Sequence, residues 1–262
     1  MTREEIIKAV TQHHKTAIEY VEKQYSTVVM TVLVGSQNYN IDHENSDIDT
    51  YSFILPSMTS IAANEDPIST TLDLKDGHCN IKDIRVALNL LMKTNPNSVE
   101  WFCSDYIVYN PAYESLLKKY LSKENRKDFL YCDIMAMGKS CKGMANNLKN
   151  RNMPAGKKYS HALRVKDMWE SYILGETDNI LKFRKEETRE LALKAKLDGM
   201  NDEEYQRLSE EISNEINESI DQIKKSDEIN YNEQIRNKIH ISTLQCMLVA
   251  KKFLYQMADL YF

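Results

Sequence analysis

The feature that most constrains this chain is an apolar run that stops at a small turn and resumes behind two aspartates. Val28-Val29-Met30-Thr31-Val32-Leu33 leads into Val34-Gly35-Ser36, and Asp47-Ile48-Asp49-Thr50 opens a second run, Tyr51-Ser52-Phe53-Ile54-Leu55. Short runs rich in β-branched and aromatic residues read as strands. Alternate side chains of a strand share a face, so Asp47 and Asp49 point one way with Ile48 buried behind them. Two carboxylates on one face repel unless a cation stands between them, and a hard divalent ion is the usual answer. The neighbouring Gly-Ser turn suits a magnesium-bound triphosphate. Gly35 lets the backbone approach closely, while backbone N–H groups and the Ser36 hydroxyl supply donors.

The segments around this core alternate between helical and extended spacing. Between Arg3 and Tyr25, Ile6, Ile7, Val10, Ala17, Ile18 and Val21 fall on one helical stripe. Pro56 ends the second strand, and residues 57–69 read as a loop or short helix. Thr70 to Leu74 and His78 to Lys82 form the arms of a hairpin with Asp76-Gly77 as its turn. Asp83 stands where the N-cap of the next helix belongs, and Asn95-Pro96 breaks that helix before Ser98-Val99-Glu100-Trp101-Phe102. Beyond Asn110-Pro111 the pattern is almost wholly helical. The expected architecture is α+β, with a mixed-sheet core over 1–110 and a helical domain over 111–262. Within the latter, the acidic stretch 186–228 reads as a solvated helical pair or an extended projection, and Ile241 to Phe262 as a core helix too interrupted by charge to span a bilayer.

With 262 residues and 42% hydrophobic content the chain can bury a real core, and seven glycines and five prolines argue against a loop-rich design. Five cysteines, with no CxxC pair, argue against a disulfide framework or a zinc site and suit a reducing cytoplasm. The opening Met1-Thr2-Arg3-Glu4-Glu5 leads straight into a helix, so neither a leader nor a membrane partner is expected. Net charge of −5 disfavours indiscriminate nucleic-acid binding. From Gly138 to Lys166, however, eight lysines and arginines stand without one acid, a stretch that would draw a polyanion.

Gly35-Ser36, a short spacer and Ser46-Asp47-Ile48-Asp49 together resemble the signature of the nucleotidyltransferase superfamily that includes DNA polymerase beta. The segments Lys82-Asp83-Ile84-Arg85, Asn95-Pro96-Asn97-Ser98-Val99-Glu100-Trp101-Phe102 and Lys157-Lys158-Tyr159-Ser160-His161-Ala162-Leu163-Arg164 are similar to those of a bacterial and phage branch of predicted nucleotidyltransferases, over roughly Met1 to Gly175. The resemblance implies a bacterial or phage source, an NTP substrate, and Mg2+, with Mn2+ as the alternative, held by Asp47 and Asp49. It implies phosphate contacts from Gly35 and Ser36 and a third carboxylate on the following strand. That strand carries His78 and Asn80; Asp83 at its exit is the catalytic candidate, and it reads equally as a helix cap. Lys157, His161 and Arg164 share one helix face with Lys158 beside it, a cationic wall for a triphosphate or a polynucleotide. Asn95, Pro96, Glu100 and Trp101 read as architectural, with a place for Glu100 facing the cleft left open.

These readings converge on an enzyme, a magnesium-dependent transfer of a nucleoside monophosphate from an NTP to an acceptor hydroxyl. The basic stretch favours an RNA end, such as a tRNA 3′ terminus. The alternatives are transfer to a protein or small-molecule hydroxyl, and an antitoxin-like regulator that binds nucleotide or RNA with little catalysis.

Overall fold

A computed structural model describes residues 1–24, 26–92, 94–122, 130 and 134–230. The expected helix over 241–262 and two of the cysteines, Cys132 and Cys246, lie outside them. By internal contacts the described residues fall into two units, 1–91 with 97–122, and 92–96 with 130–230.

The first unit is built on a five-stranded mixed sheet. Its elements run α1 (Arg3–Val21), β1 (Thr27–Val34), β2 (Ile48–Leu55), α2 (Met58–Ala62), β3 (Ser69–Leu74), β4 (Gly77–Asp83), α3 (Ile84–Met92), α4 (Pro96–Cys103), β5 (Ile107–Tyr109) and α5 (Glu114–Tyr120). The strand order is β3-β4-β2-β1-β5. Only β2 and β4 pair in parallel; the other pairings are antiparallel.

Helix α1 starts at a capping box. Thr2 Oγ1 accepts the Glu5 N–H at 3.2 Å and Glu5 Oε2 accepts the Thr2 N–H at 2.7 Å. Its buried stripe is Ile6, Val10, His13, His14, Ala17 and Val21. Ile6 and Val10 pack with Leu33 and Ile48. Ala17 and Val21 pack with Val28, Ile54, Cys79 and Ile81. Each large aliphatic side chain withdrawn from water this way contributes roughly 1.5–3 kcal/mol.

Two histidines on that stripe are satisfied by hydroxyls of the sheet. His13 Nδ1 lies 2.9 Å from Thr50 Oγ1, and its Nε2 lies 3.0 Å from Asp76 Oδ1. His14 Nδ1 lies 2.9 Å from Thr31 Oγ1, which continues to Ser52 Oγ at 2.7 Å and thence to Cys79 Sγ at 3.2 Å. Burial holds the His14 ring below the ordinary histidine pKa.

The hairpin forms with a turn one residue earlier than the sequence suggests. Leu74 pairs with Gly77, so Lys75-Asp76 make the turn and Gly77 opens β4. Gly77 has φ 152°, and a Cβ on it would sit 2.1 Å from the Ile48 carbonyl oxygen. Its glycine serves the close approach of β2 rather than the turn.

The second unit is helical, with α6 (Ile134–Asn147), α7 (Ala155–Ile173), α8 (Glu186–Asp198) and α9 (Asp202–Asn230). The acidic stretch is a helical pair. Along α9, Tyr205, Ile212, Ile216 and Ile220 are buried, and the helix packs on α6 and α7. Trp169 donates to Ser219 Oγ at 2.6 Å and Ser213 to Asn146 Oδ1 at 2.9 Å. Among the described residues no helix is long and apolar enough to cross a membrane.

Candidate active site

The candidate site occupies the sheet face opposite α1. Ile48, at the start of β2, turns into the α1 core and is 2% exposed. Asp47 stands just before the strand and is exposed; Asp49, just after Ile48, is half-buried and on the other face. Val34 at the end of β1 pairs with Asp49, which brings the Gly35-Ser36 turn alongside that carboxylate. A Cβ on Gly35 would lie 3.9 Å from Asp49 Oδ2.

That turn is held from several sides. Gly35 adopts φ 103°, a backbone conformation that favours glycine, and precedes a 3₁₀ turn over Ser36–Tyr39. Gln37 Nε2 donates to the Asp47 carbonyl at 2.9 Å, tying the turn to the first aspartate. Asn38 Nδ2 donates to Leu33 O at 3.0 Å, and Ser104 Oγ donates to Asn38 Oδ1 at 2.9 Å. The Gly35 N–H is donated to Glu100 Oε1 at 2.6 Å. Glu100, on α4, is 5% exposed, and its neighbour Trp101 packs on Phe53 of β2 with ring centroids 4.5 Å apart. The Tyr51 hydroxyl, on the same face, is pushed above the usual tyrosine range by burial and by the negative charges of Glu100 and Asp49.

On the following strand the residue beside Asp49 carries an imidazole, not a carboxylate. His78 pairs with Asp49 in the parallel ladder. Its Nδ1 lies 3.1 Å from Asp49 Oδ1 and its Nε2 3.5 Å from Asp73 Oδ1. Asn80 turns to Thr71 and to the Thr50 carbonyl.

The structure does not bring Asp83 to the pair. It stands opposite Ile54, five positions beyond His78, which is about 16 Å along the sheet, and on the α1 face. It is fully buried. Oδ1 accepts the Arg85 N–H at 2.8 Å, and the Arg85 guanidinium grips both oxygens, with Nη2 to Oδ2 at 2.7 Å. Of its two sequence readings, this geometry is that of the cap, reinforced by an ion pair.

The four residues of the basic face lie on α7, in the helical unit. Lys157 is exposed, His161 half-buried and Arg164 buried. Lys158 turns aside, its Nζ 5.6 Å from the centre of the Tyr205 ring. The His161 ring is held well below the ordinary histidine pKa, first by burial and then by the surrounding cations Arg164, Lys157, Arg151 and Lys196.

The model of the RlaP family, described as an RNA repair pathway DNA polymerase beta family, matches residues 4–240. The chain belongs to that family. RlaP membership and the mixed sheet agree on a polymerase beta-like nucleotidyltransferase fold. No curated protein matches the chain. Among solved structures, a nucleotidyltransferase-like protein from Exiguobacterium sibiricum 255-15 is 15% identical, covering 94% of this chain and 78% of its own, with a TM-score of 0.28. A likeness of that size carries no argument.

Within this RlaP chain the sequence left two neighbours of the site in other roles. Glu100 read first as architectural, with a cleft-facing place left open, and it holds the Gly35 amide from 65 residues away. His13 read only as part of a helix, although its place on the apolar stripe of α1 marked a buried polar group in need of a partner.

Proposed function

We propose that the chain transfers a nucleoside monophosphate from an NTP to an acceptor hydroxyl, with an RNA end, a tRNA 3′ terminus included, as the favoured acceptor. The observation that carries this reading is Asp49 at the mouth of β2, beside the Gly35-Ser36 turn, with Asp47 exposed next to it. The family description, which names an RNA repair pathway, supports RNA as the acceptor.

The two carboxylates offer hard oxygen donors that fit Mg2+ or Mn2+. Magnesium is commonly held by one or two carboxylates, with water and substrate phosphates completing its shell. Such an ion, when bound, polarises phosphoryl oxygens and lowers the pKa of a coordinated hydroxyl. Asp47 and Asp49 would hold it. Ser36 would donate its hydroxyl to a phosphate, while Glu100, by keeping the Gly35 amide, fixes the shape of the turn that presents Ser36. His78 orients the Asp49 carboxylate through its Nδ1 contact.

The same imidazole favours a second reading, a nucleotide- or RNA-binding regulator of weak activity, because β4 presents it, and not a carboxylate, beside Asp49. A radiolabelled-NTP assay with Mg2+ or Mn2+ and total RNA, protein or small-molecule acceptors separates the two. Label in RNA that is lost in Asp47→Ala and Asp49→Ala supports the transfer. Label in protein or small molecules instead redirects the acceptor. Nucleotide binding without any label supports the regulator and ends the enzymatic reading.

A further inference from the structure

Gln37, in the turn after Gly35, is 2% exposed, and its two polar atoms are treated differently. Nε2 donates to the Asp47 carbonyl at 2.9 Å. That bond fixes which way round the amide sits, since an oxygen in the same place would face another carbonyl oxygen. Oε1 is buried and has no hydrogen-bond partner among the described residues. A buried acceptor in that state is costly and calls for a partner. The space it faces is the one left by the missing side chain of Gly35. A Cβ there would lie 3.7 Å from Gln37 Oε1 and 3.9 Å from Asp49 Oδ2, so two acceptor oxygens border one small space. The Gly35 N–H does not serve them, because it is donated to Glu100 Oε1. The His78 ring meets the other oxygen of Asp49, Oδ1, at 3.1 Å.

Oxygens that share a space without a donor between them repel, and a cation relieves both at once. A lone hydroxyl could donate to only one of them. We propose that Gln37 Oε1 is an oxygen ligand of the divalent ion held by Asp49, a neutral donor that the turn supplies where β4 supplies an imidazole. Side-chain amide oxygens are ordinary ligands of hard cations. The inference rests on the reading above and deepens it by naming a further ligand of that ion. It also makes Gln37 a link between the two aspartates, bonded to Asp47 through Nε2 and sharing an ion with Asp49 through Oε1.

The test is Mn2+ binding to the full chain without nucleotide, followed by electron paramagnetic resonance, with each variant verified as folded by circular dichroism. Gln37→Met keeps the length of the side chain and removes the hard oxygen. It should weaken Mn2+ binding about five- to tenfold. The ion it still binds should carry an additional water, counted from the line broadening in oxygen-labelled water. Gln37→Glu keeps an oxygen at the same reach and gives up the bond to the Asp47 carbonyl, and it should bind Mn2+ at least as tightly as the wild type. Equal losses in the two variants with the bound water unchanged make Gln37 an anchor of Asp47 alone and overturn the proposal. Wild-type affinity in Gln37→Met, or no Mn2+ binding by the wild type, overturns it as well. Nucleotide transfer, assayed separately, keeps the two readings apart. Mn2+ held through Gln37 without transfer overturns the transfer alone, and transfer with Mn2+ binding indifferent to Gln37 overturns this inference alone.

Discussion

Glu100 gives the sharpest test of how the candidate site is held. Its Oε1 accepts the Gly35 amide at 2.6 Å from a side chain that is 5% exposed, at a glycine with φ 103°. A hydrogen bond from an amide to a buried carboxylate contributes about 1.5–3 kcal/mol, and leaving the amide orphaned adds its desolvation. Glu100→Ala should therefore destabilise the chain by about 2–4 kcal/mol, whereas Glu100→Gln, which keeps an acceptor oxygen and loses the charge, should cost about 1 kcal/mol. In urea the Ala variant's midpoint should fall by about 1–2 M. A second readout is specific to the site. Glu100 is one of two negative charges that raise the Tyr51 hydroxyl pKa. Both variants should lower it toward the ordinary tyrosine value, followed by NMR with ring-labelled tyrosine. An Ala variant with an unchanged midpoint and an unchanged Tyr51 titration would refute the brace.

Arg85→Ala strands the fully buried Asp83 carboxylate and should cost about 3 kcal/mol in urea unfolding; adding Asp83→Asn should recover part of that loss. Gly77→Ala drives a Cβ into the Ile48 carbonyl and should cost about 3 kcal/mol or more by the same measurement, with the proposed transfer weakened as the Asp49–His78 register shifts. His14 has a folded pKa below its unfolded value, so its contribution is intact above about pH 6.5 and is lost as pH falls toward the folded pKa. His14→Asn should flatten the fall of the urea midpoint over that range. Asp167 runs the other way, because burial raises its folded pKa to about 6; stability it gives as the neutral acid is lost as pH rises through that value. Asp167→Asn should therefore be more stable than the wild type at pH 8, by roughly 1–2 kcal/mol, with little difference near pH 4.

What the sequence made legible was local. The strand, Gly-Ser turn and carboxylate strand follow from β-branched runs and alternation, and Ile48 facing the core follows from the same period of two. The charge of 186–228 left open a solvated helical pair or an extended projection, and the buried Tyr205, Ile212, Ile216 and Ile220 decide for a packed pair. What it concealed depends on register and distance. The hairpin turn moved by one residue because Gly77 answers to the Ile48 backbone on another strand, not to its neighbours in sequence. Asp83 stands at an odd offset from His78, and that parity alone sends it to the opposite face. Glu100 contacts Gly35 through an α4 orientation set by Trp101 on Phe53, a packing choice with no local signature. Lys158 is indistinguishable from Lys157 until Tyr205 of a later helix is placed.

The Gly35–Glu100 bond also imposes an order of events on the chain as it is made. Strands β1 to β4 can pair once Asp83 has left the ribosome, since each of their contacts closes within that length. At that moment β1 still has a bare edge, because its partner β5 is reached only at Ile107–Tyr109. The Gly35 amide likewise has no carboxylate to meet until residue 100 emerges. The sheet can therefore form before Glu100 closes on the Gly35 turn, and the unfinished β1 edge is the surface on which a stalled or truncated chain would pair with a second copy of itself.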